Sequence, residues 1–167
     1  MQTLFDALGG SEGIGRIVNT FYGKVKNDPL LSPIFPEDLT ETARKQYMFL
    51  CQFFGGPPLY SEEFGSPMLR ARHIHFPITP SRAERWLKLM SEAFDEEGVD
   101  PLTKELAFLR LTKTAHHMTN TPEPEAHEPH STPSPSTLTN APSNAVRTFK
   151  TLNFLGERSS AGNDRNG

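Results

Sequence analysis

The 167-residue chain reads as an all-α protein. Apolar residues recur at spacings of three and four along four segments, and recognisable helix starts and stops bracket those segments. No segment shows the strict apolar–polar alternation of a half-buried strand.

Each element follows from its residues. Thr3 with Asp6 three positions later forms a capping-box pattern ahead of a very short helix that Gly9-Gly10 should end. Ser11 is expected to cap a longer helix whose stripe is Ile14, Ile17, Val18, Phe21, Tyr22 and Val25, with Asp28-Pro29 stopping it. A Pro-rich connection from Pro29 to Pro36 carries Leu30, Leu31, Ile34 and Phe35. Asp38 or Thr40 opens a third helix that runs to Phe54 and breaks at Gly55-Gly56-Pro57-Pro58. Residues 55–67 hold three prolines and three glycines, so they read as an irregular loop. Thr79 caps the next helix with Pro80 at its first position; its stripe is Ala83, Trp86, Leu87, Met90, Ala93 and Phe94, and Gly98 ends it. Asp100-Pro101 repeats that start, and the last helix runs to about Asn120.

Residues 1–120 hold most of the apolar residues and form one domain long enough to bury a core. Residues 121–167 carry six of the fifteen prolines among Ser, Thr, Asn and Glu, a composition expected to stay largely disordered. Within that tail Val146, Phe149, Leu152 and Leu155 could form a short amphipathic helix near 144–155. Net charge is −3 with no basic run, so a nucleic-acid partner is not expected. No apolar stretch is long enough to span a membrane, and the N-terminus lacks a secretory pattern. Cys51 is the only cysteine, which excludes an internal disulfide and a cysteine-rich metal cluster. The chain therefore reads as soluble and cytoplasmic.

The segment Leu69-Arg70-Ala71-Arg72-His73-Ile74-His75-Phe76-Pro77-Ile78 sets imidazoles among apolar residues beside two arginines. Neutral imidazole suits iron or zinc, and a nearby guanidinium suits a carboxylate such as a haem propionate. On the third helix, Thr42 and Gln46 share a face with Phe49, Leu50 and Phe53. Buried polar tips need partners, at about 1–3 kcal/mol each if left without one. For Thr42, Gln46, Tyr22 and Trp86 the ordinary answer is a structural carbonyl. The alternative is that Tyr22, Gln46 and Trp86, on three different helices, face one metal-bound diatomic in a dry pocket. His116, His117, His127 and His130 lie near the last helix end or in the tail, and no zinc spacing is formed.

Together, Phe21-Tyr22, the run Pro33-Ile34-Phe35-Pro36-Glu37-Asp38-Leu39, Gly55-Gly56-Pro57, Pro67-Met68-Leu69-Arg70-Ala71-Arg72-His73, Phe76-Pro77-Ile78 and Trp86 resemble the group II truncated haemoglobins. The likeness covers the first ~120 residues in order; the tail has no counterpart in the family. It implies a two-over-two helical sandwich around haem b. By the same resemblance, His73 is the proximal iron ligand in preference to His75, whose place is commonly proline in relatives. Tyr22, Thr42, Gln46 and Trp86 match distal positions, and Phe35 matches the aromatic on the haem face. Lys45, Tyr60 and Arg72 match propionate contacts, while Phe49, Phe53, Met68 and Phe76 would line the walls. Thr42 departs from the histidine usual at its site in vertebrate globins, which shifts ligand stabilisation onto Tyr22, Gln46 and Trp86.

The expected function is tight, reversible binding of O₂, with NO, CO or peroxide as further ligands, by a monomer or weak homodimer. A second expectation is a haem-dependent redox enzyme, either a nitric oxide dioxygenase or a slow peroxidase, that needs a separate reductase. A third is a haem-free helical adaptor that uses the 146–155 stripe.

Overall fold

Among residues 1–125, which this computed structural model describes, every long helix read from the sequence forms. In chain order they are α1 (Leu4–Ala7), α2 (Gly10–Lys26), a 3-10 turn (Ser32–Ile34), α3 (Thr40–Phe53), α4 (Leu59–Phe64), α5 (Leu69–His73), α6 (Pro80–Glu96) and α7 (Pro101–Met118). The tail helix expected near 144–155, with the Pro/Ser/Thr-rich stretch around it, lies outside the described residues.

Helix α2 is the hub. Its stripe, with Phe21 and Val25 fully buried, packs against α3 on one side and α6 on the other, and α6 packs in turn on α7. This is the two-over-two arrangement: an α2–α3 pair laid on an α6–α7 pair. Phe94, Met90 and Ala93 from α6 and Ala107 and Leu111 from α7 complete the core. Ion pairs rim the α2–α6 contact, with Lys24 between Glu92 at 3.4 Å and Glu96 at 2.5 Å.

The caps follow the sequence closely at three helices. Thr3 and Asp6 form the reciprocal capping box, Thr79 accepts from the Arg82 N–H, and Asp100 accepts from the Thr103 N–H. Two local features differ from expectation. Ser11 does not cap α2, because Gly9 (φ 87°) is its N-cap and α2 starts at Gly10 (φ 62°); the left-handed glycines let α1 pass directly into α2. The stretch 55–67 is not wholly irregular, since α4 forms within it between Pro58 and Gly65. Proline is tolerated just before the first turn, so Pro58 starts this helix rather than forbidding it.

The α2–α3 connection is held by Asp28, which is buried. Its Oδ1 accepts from the Leu30 and Leu31 N–H groups, and its Oδ2 pairs with Arg85 on α6 at 3.3 Å. Arg82, one turn earlier on α6, donates to the Leu30 carbonyl at 3.3 Å and to the Pro77 carbonyl at 2.6 Å. One helix thus ties the connection before α3 to the loop after α5.

Gly13 shows how closely α1 and α2 meet. A Cβ there would lie 1.9 Å from the Leu8 carbonyl oxygen. Alanine in place of glycine in a helix ordinarily gains about 0.5–1 kcal/mol, but a backbone oxygen cannot rotate away, so overpacking at about 1–3 kcal/mol should win. Gly13→Ala is expected to lower the denaturation midpoint measured by circular dichroism; an unchanged or raised midpoint would contradict this packing.

Candidate functional site

Tyr22 leaves the α2 stripe with its ring buried between Phe21 (centroids 5.0 Å apart) and Phe35 (6.0 Å), both edge-on. Its hydroxyl donates to Gln46 Oε1 at 2.5 Å across the α2–α3 contact. Burial pushes the phenol well above the ordinary tyrosine range, so Tyr22 keeps its proton. The bond uses the acceptor end of the Gln46 amide. Its donor end, Nε2, is buried with no hydrogen-bond partner. Thr42 sits one turn before Gln46, half-buried on the same helix. Trp86, on α6, meets Phe21 edge-on at 5.2 Å, and its indole N–H donates to no group among the described residues.

Phe49 and Phe53 continue the α3 face below Gln46, 5.3 Å apart, and Phe49 meets the Tyr60 ring at 6.1 Å. Here α4 gathers a cationic corner. The Lys45 ammonium lies 5.4 Å from the Phe64 ring and the Arg72 guanidinium 5.6 Å from the Tyr60 ring, with the two rings 5.1 Å apart. Lys45, Tyr60 and Arg72 are therefore neighbours, although 27 residues separate the first from the last. Arg72 also donates through Nε to the Pro67 carbonyl (2.9 Å) and through Nη2 to the Phe64 carbonyl (3.1 Å), closing the α4–α5 turn.

His73 ends α5. Its Nδ1 lies 2.7 Å from the Leu69 carbonyl oxygen one turn earlier. A carbonyl only accepts, so this contact fixes the tautomer with hydrogen on Nδ1 and leaves the Nε2 lone pair for a metal. Helix α5 starts from Met68 at φ 41°, the one non-glycine in the left-handed region among the described residues. Such a conformation costs roughly 1–3 kcal/mol and collects at functional sites. Met68, Ile74 and Phe76 around it are exposed apolar side chains, and His75 is exposed.

A cavity of about 990 Å³ opens between α3, α5 and α7, lined among others by Phe49, Met68, Leu69, His117 and Met118. Of the residues expected from the sequence, Phe49 and Met68 face this cavity. Tyr22, Gln46, Phe35 and Trp86 do not line it, and neither does His73, which follows two residues after the wall formed by residues 67–71. Sequence reading passed over Phe64, which carries the cationic corner, because it sits in the stretch taken as a loop. It also passed over Arg82 and Asn120, whose bonds to the Pro77, His73 and Phe76 carbonyls hold the backbone around His73. Nothing in their spacing marks them.

The bacterial-like globin family model matches residues 3–120. The group 2 truncated hemoglobin YjbI of Bacillus subtilis is 56% identical over 116 residues, covering 70% of this chain and 88% of that relative. The chain belongs to the group II truncated haemoglobins. The crystal structure of the group II truncated hemoglobin from Bacillus anthracis superposes with a TM-score of 0.74 at 55% identity, covering 77% of this chain and 98% of that one. The truncated oxygen-avid haemoglobin from Bacillus subtilis gives 0.69 at 54% identity, with 71% and 100% covered. No helix among the described residues of this truncated haemoglobin is long and apolar enough to cross a membrane.

The buried phenol has a consequence for alkaline stability. Unfolded tyrosine ionises near pH 10, whereas in the fold Tyr22 holds its proton to higher pH. The stabilisation is therefore fully present below about pH 10 and fades as pH rises past it. Urea denaturation between about pH 8 and 11 should show less loss in Tyr22→Phe than in the wild type. Equal losses would contradict the buried, protonated phenol.

Proposed function

We propose that this truncated haemoglobin binds haem b between α3 and α5 and uses it to hold O₂ tightly, with NO and CO as further ligands of the same site. The observation that carries the reading is the His73 imidazole, committed at Nδ1 to the Leu69 carbonyl and open at Nε2. A ring-nitrogen bond of this kind is the usual support of a metal-ligating histidine, since it fixes the ring and raises its basicity. Haem, when bound, would supply an iron centre able to take up a diatomic gas, with His73 as the residue that would hold it.

The residues present suit that group. Phe49, Phe53, Met68 and Phe76 offer apolar surface to a macrocycle, and Phe35 stands next to Tyr22 on the distal side. Lys45 and Arg72, gathered at the α4 corner with Tyr60, offer positive charge for propionates. On the distal side, Gln46 Nε2 is a buried donor without an acceptor, a state that costs roughly 1–3 kcal/mol. A polarised diatomic beside it would accept that bond. Tyr22 holds the amide by its oxygen, which commits the nitrogen to the ligand side, and Trp86 adds a second unengaged N–H. Thr42 contributes a small half-buried side chain where bulk would obstruct.

None of Tyr22, Thr42, Gln46 and Trp86 takes up a proton near neutrality, and a peroxidase needs such a base. The distal set therefore favours gas retention over peroxide cleavage. A relative described as oxygen-avid is in keeping with it.

The test is O₂ release measured by stopped flow on the haem-loaded full chain. At about 0.5–1.5 kcal/mol per bond, Tyr22→Phe and Trp86→Phe should each release O₂ roughly two- to tenfold faster. Unchanged rates in both would refute the distal account. The double variant Tyr22→Phe, Gln46→Leu replaces both partners of a buried pair with apolar groups. It should keep or raise the denaturation midpoint of the haem-free chain while accelerating O₂ release beyond Tyr22→Phe alone. A lowered midpoint would mean that the pair serves the fold rather than the ligand.

A further inference from the structure

Helix α5 is weakly seated for an element that carries so central a side chain. It has five residues, none of them buried, no side-chain cap at its start, and it packs against α7. Its N-terminal end is held by Arg70, which donates to the His117 carbonyl at 2.7 Å, and by Leu69, which packs with Ile78, Ala83 and Met118. At its C-terminal end one side chain does most of the holding. The Asn120 amide nitrogen donates to the His73 carbonyl at 3.0 Å and to the Phe76 carbonyl at 2.9 Å. Its amide oxygen accepts from the Ile78 N–H at 3.0 Å and from the Thr121 hydroxyl at 2.7 Å. The Asn120 and Thr121 N–H groups both donate to the Ile78 carbonyl, at 3.0 and 3.1 Å.

We infer that Asn120 is a positioning residue for the proximal histidine: its carboxamide clamps the carbonyls of His73 and Phe76 to the end of α7 and so sets the angle at which the His73 ring meets the haem iron. The inference rests on His73 as the iron ligand. Its logic is that of a second layer of support. The His73 ring is oriented by the turn from Leu69 to His73 through the Nδ1 bond, and that turn keeps its geometry only if its C-terminal carbonyl is held. An asparagine suits the task because one end of its side chain must donate twice while the other accepts. Aspartate has nearly the same shape but presents acceptors on both sides, so it would set a carboxylate against two carbonyls.

Three full-length variants decide the matter: Asn120→Ala, Asn120→Asp and, as a control on the same segment, Glu123→Gln. Glu123 accepts from the Ser81 N–H at 2.5 Å and touches neither His73 nor Phe76. The readouts are the iron–histidine stretching band of the ferrous deoxy protein by resonance Raman, and the rate of haem transfer to excess apomyoglobin. Asn120→Ala should shift the band to lower frequency, broaden it, and speed haem loss about tenfold, as removal of a ligand's supporting partner does. Asn120→Asp should match or exceed it, and Glu123→Gln should leave the band unmoved. If Asn120→Asp keeps the wild-type band and haem-loss rate, or if Glu123→Gln shifts the band as far as Asn120→Ala, the clamp is refuted. Loss of haem from Asn120→Ala too complete for a spectrum leaves Asn120→Asp and Glu123→Gln to decide by transfer rate. Absence of an iron–histidine band in the wild type would overturn the ligand reading itself, and the clamp with it.

Discussion

The burial of one face of α2 is the constraint on which the arrangement depends. Ile14, Ile17, Val18, Phe21 and Val25 have almost no contact with solvent, and both α3 and α6 are placed by the need to cover them. Tyr22 rides on that face. Because the helix cannot rotate without exposing several large apolar side chains, at about 1.5–3 kcal/mol each, the phenol is delivered to the same point between α3 and α6. Gln46 and Trp86 are brought there by the helices that cover the stripe. The cluster of Tyr22, Gln46 and Trp86 is thus a by-product of core packing, and its geometry inherits the stiffness of the core.

The segment that carries His73 is built on the opposite principle. Helix α5 has no fully buried residue and begins at a left-handed methionine. It is tied down by its own Arg70 on the His117 carbonyl and Arg72 on the α4–α5 turn, and from outside by Asn120 beyond α7. Arg82 adds a bond to Pro77 from the same α6 that carries Trp86, so the two halves of the site share one rigid helix. A prosthetic group gripped between a stiff face and a lightly held one is expected to owe much of its retention to the anchors of the second.

How much of this the sequence discloses depends on the kind of signal. The long helices were legible because burial imposes a period on the residues that form them, and Tyr22, Gln46 and Trp86 stood out as polar tips on apolar stripes. The assignment of His73 over His75 came from family resemblance, since spacing alone leaves both open. Helix α4 was hidden by the prolines and glycines around it, which argue against regular structure even when one of them starts a helix. Ser11 misled because a good cap residue was outcompeted by two glycines able to turn left-handed. Asn120 carried no signal, because its role consists of bonds to backbone carbonyls some forty residues away and a helix-end asparagine has many other uses.

The central claim is that the Nε2 of His73 reaches iron, and the most direct measurement is the visible spectrum of His73→Gly loaded with haem, before and after adding imidazole. The account predicts a Soret band and ferrous spectrum altered from the wild type, restored by free imidazole that fills the space of the missing ring. A His73→Gly spectrum identical to the wild type without imidazole would contradict it.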